Sequence, residues 1–457
     1  MLIDSHAHLT MPQFDEDREE VLGRAREAGV GHILTIGGVE QGPSVIEFAG
    51  RHQDFGVYAA IGVHPHETST LSEGSVRVLQ EYISDPRVVA VGEIGLDYHY
   101  KHSPVPAQQE AFRRQIRVAR EAGLPIIVHS REAEEDTLKI LKQEKADEVG
   151  GVIHCFSGGI DMARTAISLG FFISFSGSLT FKNAASLREI ARLIPIERIL
   201  IETDAPYLAP QQVRGKRNEP SYVRFVAQTL AEVKGLNLDD IGRITSHNAM
   251  QLFSMGSSEA EEKIAYRIRD SLYLNITNRC TNTCGFCVRF YSDFVKGHKL
   301  RIASEPTSGE VIRAIGDPKN CREVVFCGYG EPLIRLDLVK EVAAWIKEHG
   351  GRVRVNTNGQ GNLIHKRNIL PELKGLVDVY SVSLNAENEE KYLEICKPVF
   401  GLGTYRAVKE FILEAGKSAE VSVTVVDLPG VDLPACRKIA QEELKVGFRI
   451  RYYDEVG

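Results

Sequence analysis

Apolar residues recur along this chain in short runs separated by longer stretches of helical periodicity, and the rhythm breaks once, near residue 256. In the first part the runs fall at 2–3, 33–36, 57–63, 88–91, 126–128, 152–153, 171–175 and 199–201. The stretches between them, such as 110–122, place charges on one helical face and apolar residues on the other. Eight alternating β/α units predict a closed parallel (β/α)8 barrel, in which functional residues gather at the C-terminal ends of the strands. Residues 254–262 are then small and acidic with no apolar period. This predicts a first domain over 1–256, a linker over 257–267 and a second domain over 268–457. In the second domain apolar runs at 272–276, 324–326, 353–355, 379–382, 421–426 and 448–450 predict six strands of a partial (β/α)6 barrel, open on one side. The fold class is therefore α/β throughout.

The polar residues that follow the runs change the picture from scaffold to site. The first run ends in Asp4-Ser5-His6-Ala7-His8, where strand alternation puts His6 and His8 on one face, within reach of one metal ion. His64 and His66 follow the third run, Glu93 and Asp97 the fourth, His129 the fifth, His154 the sixth and Asp204 the eighth. A single histidine at such a place reads as a satisfied core or surface residue. Six histidines with a glutamate and an aspartate on one barrel face read as a metal site. Histidine and carboxylate ligands suit zinc, manganese or magnesium, and a carboxylate bridges two ions. His6, His8 and Asp204 are expected to hold one ion and His129 and His154 the other, with Glu93 between them. Asp204 is also expected to take a proton from the attacking water.

The second domain opens on Cys280, Cys284 and Cys287, three cysteines within eight residues. Thiolates bunched on one loop suit an iron–sulfur cluster. A partial zinc site or spare thiols are the plainer readings. Gly328-Tyr329-Gly330-Glu331-Pro332 follows the second of these strands and Asn356-Thr357-Asn358-Gly359 the third. Glycine lets backbone approach a ligand, and Glu331 and Asn358 offer polar edges. The other five cysteines form no second cluster and read as buried small hydrophobes, with Cys396 a candidate thiol donor.

Composition narrows the class further. The 457 residues are 43% hydrophobic and 26% charged, enough for two soluble cores. A net charge of -7 removes the general basic footprint of a nucleic-acid binder, so phosphate affinity has to come from metal ions or local basic loops. One such loop is 214–220, with Arg214, Lys216 and Arg217, read either as a phosphate-holding loop or as a solvated charged one. Eight scattered cysteines make no disulfide framework. Residues 1–6 carry no basic and apolar leader, and no run of eighteen apolar residues exists, so a cytoplasmic protein without membrane contact is expected.

The motifs at 4–8, 62–66, 92–97, 128–131, 154–158, 202–209 and 214–220 together resemble the TatD family of metal-dependent deoxyribonucleases. The resemblance implies a TIM barrel of amidohydrolase type with a divalent metal pair that hydrolyses phosphodiester bonds in DNA. Its metal ligands fall on His6, His8, Glu93, His129, His154 and Asp204, with Glu93, Asp204 and His64 the catalytic set and His64 and Tyr98 on the substrate side. Ala205 and Ser246 stand where serine and threonine are common in that family. The alternatives are an amidohydrolase acting on a small substrate, or a nucleic-acid-binding module that delivers substrate to the second domain. Against the former, the fourth strand carries Glu93 where many amidohydrolases bridge through a carboxylated lysine, and no lysine occurs nearby before Lys101.

The second domain resembles the radical S-adenosylmethionine superfamily. That implies a [4Fe–4S] cluster on Cys280, Cys284 and Cys287, with S-adenosylmethionine on the remaining iron, cleaved reductively to drive a radical reaction. Phe286 then faces the adenine, and Gly328, Gly330 and Glu331 the cofactor amine. Asn358 belongs to the same cofactor-binding set, and Ser383 and Asn385 are ribose contacts. Tyr329-Gly330 departs from the Gly-Gly-Glu common in that superfamily. The partners so implied are DNA or another phosphodiester, an unidentified radical substrate, and an electron donor such as a flavodoxin or ferredoxin.

Overall fold

A computed structural model describes residues 1–256 and 261–452. They divide into two compact units, Met1–Ser258 and Glu259–Gly457.

In the first unit the eight apolar runs become eight strands: β1 (Leu2–Ala7), β2 (Val30–Gly38), β3 (Val57–Gly62), β4 (Val88–Asp97), β5 (Ile126–Arg131), β6 (Gly151–Ile153), β7 (Phe172–Phe175) and β8 (Ile199–Ile201). They pair in sequence order, each parallel to the next. The seam between β8 and β1 is closed just beyond the strand ends, by the His8 N–H to Ala205 O (2.7 Å) and the Asp204 N–H to His6 O (2.9 Å). Residues expected to hold metal thus also close the ring.

Alternation sorts the apolar residues into two layers. One face of the strands packs against the surrounding helices, among them Val105–Ala122 and Val223–Lys234. The other fills the barrel: Ile127 and Val152 stand two residues before His129 and His154 and share their inward direction. With Ile3, Leu34, Ile36, Ala60, Phe172 and Leu200 they form an apolar floor. Phe253 and Met255, at the end of helix Leu238–Phe253 and just past it, join this cluster and plug it. Filled layers of this kind make the barrel a packed core with chemistry only at its upper rim.

In the second unit, β9 (Ala265–Ile268) lies antiparallel to β10 (Ser271–Leu274). A short hairpin follows, β11 (Phe294–Val295) with β12 (His298–Lys299). Then come β13 (Val324–Phe326), β14 (Val353–Thr357), β15 (Val379–Ser383), β16 (Glu420–Asp427) and β17 (Gly447–Tyr452). The sheet runs β17-β16-β15-β14-β13-β10-β9, parallel from β17 to β10. All six expected strands are present, in an open parallel array. The periodicity did not reveal β9 or the hairpin, because they are too short to show alternation. Residues 265–267, expected to belong to the linker, are the start of β9; residues 257–260 of that linker lie outside the described residues. One face of the sheet packs against helices such as Leu336–Glu348 and Thr404–Ala415, while Tyr266, Tyr273, Val295, Val325 and Tyr329 cluster on the other. Among the described residues, no helix is long and apolar enough to cross a membrane.

Removing the plug tests this layering. Phe253→Ala empties a fully buried site, and is expected to destabilise the first unit by about 3–5 kcal/mol, read as a lower urea midpoint for the full-length chain.

Candidate functional site

Glu93 lies at the centre of the first unit's rim, and its two oxygens face different neighbours. Oε1 lies 2.7 Å from His129 Nδ1, 2.7 Å from His154 Nε2 and 3.4 Å from His64 Nε2. Oε2 lies 3.4 Å from His6 Nε2 and 3.9 Å from His8 Nε2. Asp204 Oδ1 completes this second group, 3.4 Å from His8 Nε2 and 3.7 Å from His6 Nε2. The imidazole nitrogens of His6 and His8 stand 3.2 Å apart, and those of His129 and His154 3.4 Å. Donor atoms about 2.0–2.2 Å from a shared ion lie roughly 3–3.5 Å from one another. The spacing and the nitrogen–carboxylate chemistry therefore fit two cations, one on each side of Glu93. His6, His8 and Glu93 form one tight ligand-type group, and His64, Glu93 and His129 another.

The electrostatics agree. Burial alone would raise Glu93, but the imidazoles of His154 and His64 and the contacts with His129 and His154 outweigh it and hold the carboxyl well below its ordinary range. Burial would likewise raise Asp204, and His8, His6 and His154 bring it down instead. Burial lowers His6. Both carboxylates are ionised at neutral pH, and against the pull of burial the surrounding carboxylates raise His8, His129 and His154 above the ordinary imidazole range, so a cation would enter this site in exchange for protons.

Three further acids support this ring, and sequence reasoning gave none of them a role. Asp97 Oδ2 accepts from His66 Nε2 (2.9 Å) and sits 3.3 Å from His129 Nε2, while its Oδ1 accepts the His99 and Tyr100 N–H groups at 2.9 Å. It thereby turns His129 so that Nδ1 faces Glu93. The strands meet closely beside it: a Cβ on Gly95 would lie 2.1 Å from His129 O. Glu202 is fully buried, with Oε1 2.6 Å from the Cys155 N–H and 3.4 Å from His154 Nδ1. Asp4 takes the Thr203 hydroxyl (2.6 Å) and N–H (2.8 Å), setting the segment that carries Asp204; burial pushes its carboxyl up to about 8 against those bonds. All three stand in the polar strand-end motifs, but their orienting contacts depend on strand neighbours distant in sequence.

The two substrate-side candidates are placed differently. His64 joins the Glu93 group on its more exposed side. Tyr98 turns away, its hydroxyl donating to Asp136 (2.8 Å) and accepting from Gln109 (2.7 Å). In the 214–220 loop, Arg217 pairs with Asp17 at 2.7 Å and lies over Phe14, and Arg214 lies 3.9 Å over Phe181. Arg217 is spent on holding the loop, so the surplus charge there is smaller than the sequence suggested.

In the second unit Cys280, Cys284 and Cys287 are half-buried and free on the loop after β10. That loop is stitched to the chain before 398: the Thr283 N–H donates to Cys396 O (3.2 Å) and the Gly285 N–H to Ile395 O (3.3 Å). Cys396 is fully buried with its Sγ 3.7 Å from Asn385 Nδ2, so it serves as scaffold. Asn358 bridges toward the cysteines, its Nδ2 donating to Thr281 Oγ1 (2.8 Å) and standing 3.8 Å from Cys280 Sγ, while its N–H donates to Glu331 (2.7 Å). Glu331 also takes the Leu333 N–H and the Thr357 hydroxyl. Burial raises its carboxyl to about 7 against the pull of Asn358, Leu333 and Thr357. Such a carboxyl favours an arriving cation. A Cβ on Gly328 would meet Asn275 Oδ1 at 2.5 Å, and one on Gly330 Arg279 O at 2.2 Å, so both glycines serve close packing of the turn against the cysteine loop. Phe286 is half-buried between Cys284 and Cys287, and Ser383 ends β15. No side-chain hydrogen bond among the described residues ties either to Cys280, Glu331 or Asn358. Burial pushes the Cys280 thiol up to about 11 and raises Cys287. Three free thiols on one loop have the donor chemistry of an iron–sulfur site.

Comparison with known proteins follows the same division. The family model for TatD related DNase matches residues 3–254, and that of the Radical SAM superfamily matches residues 274–441. The metal-dependent hydrolase YabD of Bacillus subtilis is 46% identical over 257 residues, covering 55% of this chain and 99% of that protein. The 3'-5' ssDNA/RNA exonuclease TatD of Pantoea ananatis is 35% identical over 260 residues, 56% of this chain and 100% of that one. Among solved structures, YJJV, a TatD homologue from Escherichia coli K12, is 32% identical with a TM-score of 0.53, covering 56% of this chain and 98% of its own.

Two consequences are measurable. Asp97→Asn should weaken metal binding about 10- to 100-fold while leaving the fold intact, as loss of an orienting carboxylate does, read by competition with a chromophoric chelator. Because Glu331 has a raised pKa when folded, the unfolded chain releases that proton first, and stability falls as pH climbs from about 4.5 to about 7. Glu331→Gln should make that slope shallower in a series of urea midpoints, the buried Asp4 carboxyl keeping its own share; an unchanged slope would assign it to other groups.

Proposed function

Since this chain belongs to the TatD related DNase family, we propose that residues 1–256 hydrolyse phosphodiester bonds in DNA with a pair of divalent ions. The chain is a metal-dependent hydrolase unit joined to a radical SAM domain. The observation that carries the hydrolase reading is Glu93, whose two oxygens face two separate imidazole groups at 2.7–3.9 Å.

His6, His8 and Asp204 would hold one ion, His129 and His154 the other, and Glu93 would bridge them. Such a pair supplies Lewis acidity and an activated water at neutral pH. The chain's own residues do the rest. Asp204, ionised and reached by His8, is placed to accept the proton that water gives up. His64, on the more exposed flank of Glu93, is placed to meet the phosphate or the departing oxygen. Asp97, Glu202 and Asp4 hold the ligands so that little reorganisation accompanies reaction. The 3′–5′ single-stranded DNA/RNA exonuclease of Pantoea ananatis, a relative of this chain, favours a single-stranded nucleic acid attacked from its 3′ end.

For residues 268–457 we propose reductive cleavage of S-adenosylmethionine in the service of a radical reaction. Cys280, Cys284 and Cys287 would hold a [4Fe–4S] cluster, which with the bound sulfonium supplies one-electron chemistry. Glu331 is suited to the cofactor's ammonium, and Asn358 joins that carboxylate to the cysteine loop. Gly328, Gly330, Phe286 and Ser383 complete the proposed cofactor site.

The hydrolase reading is tested with the full-length chain, manganese, zinc or magnesium, and a 5′-labelled single-stranded oligonucleotide. A ladder shortening from the 3′ end is expected, with Glu93→Gln and Asp204→Asn slower by about 100- to 1000-fold. No cleavage with any metal, or equal cleavage by the variants, refutes it. For the second unit, anaerobic reconstitution should give about four irons per chain, lost in Cys284→Ala. A colourless, zinc-loaded protein refutes it.

A further inference from the structure

Among the described residues of the first unit, four large apolar side chains are exposed: Met1, Tyr100, Leu193 and Tyr207. Met1 precedes β1 and Leu193 precedes β8, so both lie toward the N-terminal ends of the strands. The two aromatics stand at the opposite end, Tyr100 after β4 and Tyr207 after β8, on segments that form the rim. Tyr100 is 52% exposed and Tyr207 48%. Single exposed apolar residues are ordinary on a protein surface. Two open rings at a polar site, one beside each ligand group, are a different arrangement.

Tyr100 belongs to the His129 side. Its ring meets that of His66 edge-on, with centroids 5.7 Å apart, and His66 meets His64 in the same way at 4.4 Å. The Tyr100 N–H donates to Asp97 Oδ1 (2.9 Å), on the carboxylate that also turns His129. His102, itself exposed, lies parallel to the tyrosine ring at 5.5 Å, and the Arg131 guanidinium sits 4.7 Å from its centroid. The neighbouring Glu132 pairs with His99 at 2.7 Å. Tyr207 belongs to the other side. Its ring meets that of His8 edge-on at 6.2 Å, its N–H donates to Asp204 O (2.9 Å), and its hydroxyl rests 3.7 Å from Met11 Sδ. These backbone bonds fix the root of each ring relative to a ligand group before anything binds. Tyr98 shows the contrary case: half-buried, with its hydroxyl taken by Asp136.

We infer that Tyr100 and Tyr207 are stacking platforms for unpaired nucleobases, one on each side of the scissile linkage; the inference rests on the nuclease reading of the first unit. A chain with a net charge of -7 has little general hold on phosphates, so ring contacts supply what charge does not. Every base has a π-face, so stacking tolerates any sequence, and it is worth about 5- to 150-fold in affinity per base. A base inside a duplex is already stacked and paired, so the platforms favour a single strand. Arg131, over the Tyr100 ring, adds a cation suited to a backbone phosphate.

The test uses the full-length chain with manganese and a short 5′-labelled single strand, either intact or abasic at the 3′-terminal or the penultimate position. An abasic position keeps sugar and phosphate and lacks the base alone. In the unaltered chain each abasic strand should raise KM at least about fivefold. Tyr100→Leu should raise KM on the intact strand by a similar factor, losing sensitivity to one abasic position and keeping the other. Tyr207→Leu should show the converse. Tyr100→Phe and Tyr207→Phe keep the ring and should hold KM within about twofold of the unaltered chain. Manganese affinity, read with a competing chelator, should be the same in every variant, which a merely structural role would not allow. Equal KM for intact and abasic strands overturns the inference, as do leucine variants that keep both sensitivities, lose the same one or bind manganese poorly. Phenylalanine variants that behave like leucine overturn it too, because the hydroxyl would then be the contact. If the unaltered chain cleaves none of the strands with manganese, zinc or magnesium, the nuclease reading itself has failed.

Discussion

The first unit depends on one carboxylate set between two groups of imidazoles. Bringing four histidines and two acids to one buried rim costs desolvation of each, and crowds imidazole nitrogens to 3.2–3.4 Å of one another. Glu93 relieves part of that cost through both its oxygens, and cations between the groups would relieve the remainder. The apolar floor below, plugged by Phe253, keeps water from entering from the opposite end. Fold and site are therefore coupled at the seam, where His6 and Asp204 both close the ring and face the rim.

The orienting acids show how that arrangement is held. Asp97 and Glu202 each touch a histidine from behind, and Asp4 fixes the segment before Asp204. The second unit uses a comparable device with amides. Asn358 links Glu331 to Thr281 and Cys280, and Gln360 donates to Asn282 and Tyr392, so the loop that carries the thiols is held from neighbouring strands. In both units the reactive groups come from strand ends and their supports from adjacent strands, as parallel α/β sheets allow.

Much of this was legible in the sequence. Fourteen strands announced themselves as apolar runs, because all but the edge strand β17 bury residues on at least one face. The histidines and acids at their ends were visible as polar interruptions at fixed places in that rhythm. What stayed hidden depended on contacts between distant positions. Asp97 looked like the end of a motif until β4 was paired with β5; Arg217 looked available until Asp17, two hundred residues earlier, was placed beside it. Tyr98 looked substrate-facing from its position after β4, yet Asp136 and Gln109 take its hydroxyl. The short β9 and its neighbouring hairpin had too few residues to show a period.

The direct test of Glu93 as the bridge is crystallography of the manganese-loaded chain, with anomalous scattering at the metal edge. Two peaks are expected, one bounded by His6, His8 and Asp204 and the other by His129 and His154, with one Glu93 oxygen toward each. A single peak, or two peaks that Glu93 does not join, would contradict the bridging carboxylate on which the hydrolase reading stands.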